Sequence, residues 1–386
     1  MRVCFVAHSS ADEGAGRALL ETVEVLKDLG VDCRVFLPRP GTMQEELSRL
    51  DVHCFLLKYC WWMGKGDSLW MRSRRTLRNL ATTVPAVLRL REWRPDVVVS
   101  NSVTVVIGAV AACLLRIPHI WSLHEFGYED HGLRFDLGDR FSYRVIQSLS
   151  AVCIVNSDVV AAQYAKHISP SRLSRVYYSM HLAQNARLIH SNSPVPARKS
   201  QCRCVIVGTL CEAKGQTDAV AALAELQKEG ITPELLIVGK GEADYERYLR
   251  DLVRAHNLGN QVVFTGQVQD AFPFIQSADA VLMCSRSEAF GRVTVEGMLA
   301  GKPVIGARSG ATPELVQDGS SGLLYQPGDP KDLAARIKYF QQNPAVAEEL
   351  GRKGQEWAKA TFSEDRHCAE FLEILNEVTR AKRPSQ

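Results

Sequence analysis

Short apolar runs recur along the chain, separated by longer stretches whose apolar residues fall three and four apart. In the first half, residues 3–7, 33–37, 96–99, 118–122 and 151–155 read as strands; in the second, residues 203–207, 235–238, 262–264, 280–284 and a run beginning at Val304. Runs without charge suit strands buried on both faces of a parallel sheet. The intervening segments read as helices: one from the polar loop at 9–16 through Leu29, a buried one within 103–115, one ending near Lys166, and one carrying Val293, Val295, Met298 and Leu299 on its packed side. Strand and helix alternating in this way predict an α/β protein with two doubly wound parallel sheets facing a cleft. The expected domains are 1–190 and 200–362. The polar, proline-bearing segment 185–200 links them, and a last helix, about 363–386, returns to the first domain.

A length of 386 residues is comfortable for two ordinary domains, and 46% hydrophobic with 23% charged residues is a globular composition. The eleven cysteines show no metal-ligand spacing, since Cys202 and Cys204 are too close for a C-x2-C site. They read as reduced thiols of a cytoplasmic protein. The opening residues form a strand with no secretory apolar region, and the longest uncharged run, 103–115, is too short to span a bilayer. Net charge is +3 but uneven: residues 1–190 hold 23 basic and 18 acidic residues (+5), which leaves 23 and 25 (−2) for the rest. The segment 58–94 concentrates nine of these cations, Lys58, Lys65, Arg72, Arg74, Arg75, Arg78, Arg89, Arg91 and Arg94, with Trp61, Trp62 and Trp70 among them. That mixture fits peripheral attachment to an anionic membrane surface. A solvated helix face with tryptophans in the core fits equally. Nucleic acid is not expected, because no recognition motif accompanies the charge.

The densest candidate chemistry lies in 278–306. There a strand, a loop holding Glu288, and a helix holding Glu296 follow one another, and the helix points its N–H groups at the sheet edge. Helical geometry lets both carboxylates face one crevice. Taken alone, they read just as well as a cap and an exposed helix residue. The wording E-A-F-G-R-V-T-V-E, with Ser285, Glu288, Phe290, Gly291 and Glu296 in place, resembles the E-x7-E signature of the retaining glycosyltransferases of family 4, also called glycosyl transferases group 1. The resemblance implies the GT-B fold, a donor sugar held by Glu288 and the backbone of Phe290 and Gly291, and a ribose held by Glu296. Cys284, where the family often has proline, reads as packing.

Other positions extend the resemblance. G-T-L-C-E-A-K-G at 208–215 is similar to the family's G-R-L-x-x-x-K-G, with Gly208, Leu210, Lys214 and Gly215 matching and Thr209 replacing an arginine. Lys214 is thereby implied as the main cation at the leaving diphosphate. Either another base compensates for the arginine or donor affinity is lower. E-G-A-G-R at 13–17 partly matches a first-turn motif, which places Gly14 near donor phosphates or acceptor; a plain tight turn is the alternative. His124, just past a strand's carboxyl end, looks like the histidine that contacts the donor sugar, and the backbone near Val268 is implied to meet the nucleotide base. Ser179-Met180 departs from the family's N-G.

The implied activity is transfer of a sugar from a nucleoside diphosphate sugar to a carbohydrate or lipid-linked acceptor, in polysaccharide or glycolipid synthesis. Retention is implied, with no cofactor beyond that co-substrate. The absence of D-x-D argues against a metal at the diphosphate. The alternatives are a nucleotide-sugar epimerase of the same fold and a non-catalytic nucleotide-sugar-binding relative.

Overall fold

In a computed structural model that describes residues 1–11, 14–128, 132–180 and 194–381, the apolar runs become the interiors of two parallel sheets. Asp12, Glu13 and the expected linker as far as 193 lie outside the described residues. The chain divides into two compact units, Met1–Ser179 together with the helix Glu364–Arg380, and Met180–Ser363.

The first unit holds β1 (Arg2–Ala7), β2 (Asp32–Leu37), β3 (His53–Leu56), β4 (Met63–Gly64), β5 (Val97–Asn101), β6 (His119–Leu123), β7 (Arg134–Phe135), β8 (Val152–Val155) and β9 (Leu173–Arg175). Seven of these form one parallel sheet in the order β3-β2-β1-β5-β6-β8-β9, while β4 and β7 make a small antiparallel pair. Alternation along β1 shows why both faces are covered. Val3, Phe5 and Ala7 enter one apolar cluster and Cys4 and Val6 another, as a period of two requires. Phe371, Ile374, Leu375 and Val378 of the helix Glu364–Arg380 complete the first cluster.

The second unit holds β10 (Arg203–Val207), β11 (Glu234–Val238), β12 (Val262–Gly266), β13 (Ala280–Met283), β14 (Val304–Ala307) and β15 (Gly322–Tyr325), ordered β12-β11-β10-β13-β14-β15. In both sheets the chain moves outward from a central strand, returns, and continues on the other side. That reversal lies between β1 and β5 in the first unit and between β10 and β13 in the second. Loops at the carboxyl ends of such a strand pair diverge to opposite faces and leave a crevice for ligands.

Two elements differ from the sequence expectation. The run 103–115 is helical only over Ile107–Leu115, because the Ser102 hydroxyl accepts the Thr104 N–H at 3.1 Å and holds the preceding backbone in a turn. The basic segment is also partitioned. Trp62 is buried and stacks on Trp121, whereas Trp61 and Trp70 stay exposed. In the helix Leu69–Trp93, Arg72 and Arg75 turn inward to Asp136, and Arg75 also reaches Asp67 at 2.6 Å. The hydrogen bonds that Arg75 donates to the Asp136 carboxylate are the chief cause of its raised pKa.

At the amino ends of β10 and β11, Arg203 and Glu234 form a fully buried pair at 2.8 Å, and Arg203 also donates to Pro196 O at 3.0 Å. Removing one partner of such a pair strands the other charge, which costs about 3–5 kcal/mol. Glu234→Ala should therefore lower the unfolding free energy of the second unit by an amount of that order, read as a drop in its urea midpoint. A midpoint within experimental error of wild type would show that the pair is solvated rather than buried.

Candidate functional site

Each sheet reversal carries a side-chain bridge. In the second unit, the loop after β10 forms a single turn, Glu212–Lys214, and ends on Gly215 at φ 65. A Cβ at Gly215 would lie 2.1 Å from the Cys284 carbonyl oxygen, so only glycine lets this turn approach the end of β13. Arg286 N donates to Ala213 O at 2.8 Å and ties the two loops backbone to backbone. Above that tie, Lys214 Nζ donates to Glu288 Oε2 at 2.6 Å. Two residues 74 apart in the chain are thus in contact, with Lys214 34% and Glu288 16% exposed. Both side chains therefore keep some contact with solvent.

Glu288 is fixed from behind. Its carbonyl accepts Ala311 N at 2.8 Å, and Gly310, at φ 52, packs where any Cβ would meet the Glu288 backbone at 2.4 Å. Phe290 is buried edge-on to Phe362. Gly291 takes a left-handed conformation, φ 94, and opens the helix Arg292–Leu299, which carries the half-buried Glu296. Gly208 and the exposed Thr209 follow β10, and Thr209 O accepts Gln216 Nε2 at 3.0 Å. Val268 is half-buried just beyond β12. Except for Glu296, which lies more than a turn into its helix, these positions follow the carboxyl ends of strands of one sheet. Cys284 belongs to the core, and burial pushes its thiol up to about 12, as expected of a packing residue.

Arg286 lies 3.7 Å from Glu212 and 3.8 Å from Asp218, so its charge is balanced locally. Sequence reasoning passed over Lys240. Its carbonyl accepts Leu210 N at 3.1 Å, which sets it beside Thr209, and its exposed side chain has no ion pair among the described residues. The signal was present in the G-K-G turn after β11, but only the sheet pairing of Leu210 with Gly241 brings that turn next to Thr209.

In the first unit, Gly14, φ 53, opens the helix Ala15–Asp28, and His124 follows β6. Asn101, at the end of β5, donates from Nδ2 to Ala15 O at 3.0 Å and thereby bridges the reversal. Its Oδ1 then faces His124 Nε2 at 2.7 Å. An amide oxygen can only accept, so Nε2 carries the ring proton and Nδ1 accepts from the Tyr178 hydroxyl at 2.6 Å. Asn156 Nδ2 in turn donates to Tyr178 at 3.0 Å. This chain of donors is complete with a neutral imidazole. Burial lowers the His124 pKa to about 3, helped by His8 and His367. Asn101, Asn156 and Tyr178 were not singled out from sequence; polar residues ending otherwise apolar strands were the available sign. Ser179 and Met180, the departure from the family pattern, are both buried, and Met180 N donates to Phe362 O.

Among the described residues, no group of three or more His, Cys, Asp or Glu side chains could hold a metal ion, and no helix is long and apolar enough to cross a membrane.

The fold is that of an α/β protein with two parallel-sheet units, and comparison with known proteins gives the class. Residues 190–357 match the family described as glycosyl transferases group 1, and residues 13–179 match the glycosyl transferase 4-like domain. The chain belongs to this GT-B family and is a glycosyltransferase. An uncharacterised glycosyltransferase of Methanocaldococcus jannaschii is 26% identical over 256 residues, 66% of this chain and 67% of that one. Glycogen synthase of Mycobacterium tuberculosis is 25% identical over 338 residues, 84% and 77% of the two chains. Among solved structures, Anabaena HepE in complex with UDP has a TM-score of 0.79 at 22% identity, covering 98% of this chain and 100% of that chain. HepE has also been solved with UDP-glucose.

The neutral His124 makes a prediction for stability. Its folded pKa, about 3, lies below the ordinary 6.5, so the unfolded chain takes up a proton first as pH falls. Its contribution is complete above about pH 6.5 and is lost on descent toward 3, at about 1.4 kcal/mol per pH unit for one proton. Urea titrations across that window should show a shallower pH dependence for His124→Asn than for wild type. Parallel curves would mean that the ring is solvated and titrates normally.

Proposed function

We propose that the protein transfers a sugar from a nucleoside diphosphate sugar to the hydroxyl of a carbohydrate or lipid-linked acceptor, with retention and without a metal ion at the diphosphate. The observation that carries this reading is the Lys214–Glu288 contact at the sheet reversal, beside the helix that begins at Gly291. The family assignment and the UDP and UDP-glucose bound by HepE support the donor class.

In this reading, Glu288 holds Lys214 in place before the donor arrives. The diphosphate then takes the ammonium group as its partner, and Glu288 turns to the sugar hydroxyls. The bond between the anomeric carbon and the diphosphate oxygen breaks, and the departing oxygen gains charge where Lys214 and the helix amino end stabilise it. The acceptor hydroxyl forms its bond on the same face, and its proton passes to the departing phosphate oxygen. Glu296 binds the ribose, the backbone of Phe290 and Gly291 the sugar, and the backbone at Gly208 and near Val268 the nucleotide. Gly14 and His124 are assigned to the donor phosphates and sugar on the strength of the family pattern. With Nε2 held by Asn101 and Nδ1 by Tyr178, His124 would act as a neutral hydrogen-bonding group rather than as an acid. None of the eleven cysteines is bonded to another, which fits a cytoplasmic enzyme working in polysaccharide or glycolipid synthesis.

The reading is tested by incubation with a panel of nucleotide sugars, with and without acceptor saccharides. Release of nucleoside diphosphate should depend on acceptor and persist in EDTA, and the glycoside formed should keep the donor's anomeric configuration. Glu288→Gln should lower kcat more than donor affinity, Glu296→Gln should weaken donor binding by about 1–3 kcal/mol, and Lys214→Ala should lose transfer by a factor of about a hundred or more. Epimer formed without acceptor, or donor bound but never consumed, would replace this function with another.

Lys240 is assigned the charge that Thr209 does not supply. Lys240→Ala should raise the donor KM about tenfold, or about 1.4 kcal/mol, with a smaller effect on kcat. Adding Thr209→Arg to that variant should restore the KM. A double variant no better than Lys240→Ala would leave Lys240 as a solvated surface residue.

A further inference from the structure

The helix Leu69–Trp93 is amphipathic in an unusual sense. Its inward side, Asn79, Thr82, Thr83, Ala86, Leu90 and Trp93, includes three polar residues, and its outward side is largely aliphatic. Trp70, Leu77, Leu80, Val84 and Leu88 recur at helical spacing and are each between 59% and 67% exposed. Soluble monomers scatter exposed apolar side chains singly, and a continuous ridge of five marks a surface that is covered in use.

The charge beside this ridge identifies what covers it. The helix carries six arginines and one glutamate. Arg72 and Arg75 are engaged with Asp136, and Arg89 pairs with Glu92 at 3.2 Å. Arg74, Arg78 and Arg91 remain exposed along the ridge, with Arg74 stacked over Trp70 at 5.4 Å. A second copy meeting this face would set arginines against arginines. An acidic planar surface with an apolar interior satisfies both features at once: the cations meet headgroups and the aliphatic side chains enter the acyl boundary.

We infer that the outward face of this helix lies on the surface of an anionic phospholipid bilayer, with Trp70, Leu77, Leu80, Val84 and Leu88 inserted and Arg74 and Arg91 against the phosphates. This goes beyond the proposed sugar transfer and does not depend on it, since binding is read without any sugar. The attraction is screened by salt, whereas the apolar contribution is not.

The test is flotation of the full chain with vesicles of phosphatidylcholine alone and of phosphatidylcholine with phosphatidylglycerol, at low and high salt. Wild type should float with the mixed vesicles and at least tenfold less with phosphatidylcholine alone. Leu77→Ser combined with Val84→Ser and Leu88→Ser should abolish binding at either salt. Arg74→Glu with Arg91→Glu should abolish the preference for phosphatidylglycerol. All these positions are exposed, so an unchanged circular dichroism spectrum and urea midpoint are expected to accompany the loss. Equal recovery with both vesicle types, or triple-serine binding equal to wild type, would overturn the proposal. So would a self-association in sedimentation that the triple-serine variant removes, which would make the ridge an interface between copies.

Discussion

The contact between Lys214 and Glu288 depends on how close two loops can come. The turn after β10 and the loop after β13 are held by one backbone hydrogen bond, from Arg286 N to Ala213 O, and they approach because Gly215 has no side chain to strike the Cys284 carbonyl. With any Cβ at that position the turn would move outward, and the ammonium group would lose the geometry that puts it 2.6 Å from the carboxylate. Gly310 does the same from the other side, packing against the Glu288 backbone. Charged chemistry at this edge thus rests on backbone sterics, and the charges contribute little to holding the loops. A part-exposed ion pair is worth about 0–1 kcal/mol, less than the strain of a displaced turn.

The two units solve the same topological problem with different chemistry. Each sheet reverses at its centre, and each reversal is bridged by one side chain. In the first unit the bridge is the Asn101 amide, which leads to a neutral imidazole and a tyrosine hydroxyl, all mutually satisfied. In the second it is an ion pair. Neutral networks tolerate burial, so His124 can be enclosed at the cost of its basicity. An ammonium that must meet an incoming anion cannot be enclosed, and Lys214 accordingly keeps a third of its surface. The difference in burial follows from the difference in charge.

Central strands were readable from sequence because they are uncharged on both faces. Those expected at 203–207 and 280–284 appear as Arg203–Val207 and Ala280–Met283. Two edge strands, β3 and β15, were not read: β3 is half-exposed along its length and lacks that signature, and β15 follows directly on a glycine-rich turn. The GT-B class and the family were also readable, since the E-x7-E wording ties residue types to a fixed loop and helix. Partners across the fold were hidden. Nothing in the chain links Lys214 to Glu288 or Asn101 to Ala15, and Lys240 meets Thr209 only through pairing between turns of different strands. The roles of the site residues rest on the family pattern and the chemistry argued from it.

The segment 58–94 shows what a count of charges omits. Nine cations and two acids within 37 residues read as one basic surface, yet the acid that matters most to it, Asp136, comes from elsewhere in the chain. Asp136 is buried, and a buried carboxylate requires a partner; Arg75 supplies it in bidentate fashion while Arg72 binds the same residue's carbonyl. The interior therefore takes two arginines out of the apparent surface and sets the rotation of the helix about its axis. With Arg72 and Arg75 fixed inward, the period of 3.6 residues leaves Trp70, Leu77, Val84 and Leu88 no choice but to face outward. The exposed apolar ridge is in this sense a consequence of a buried ion pair, and its position on the protein is as firmly determined as that pair.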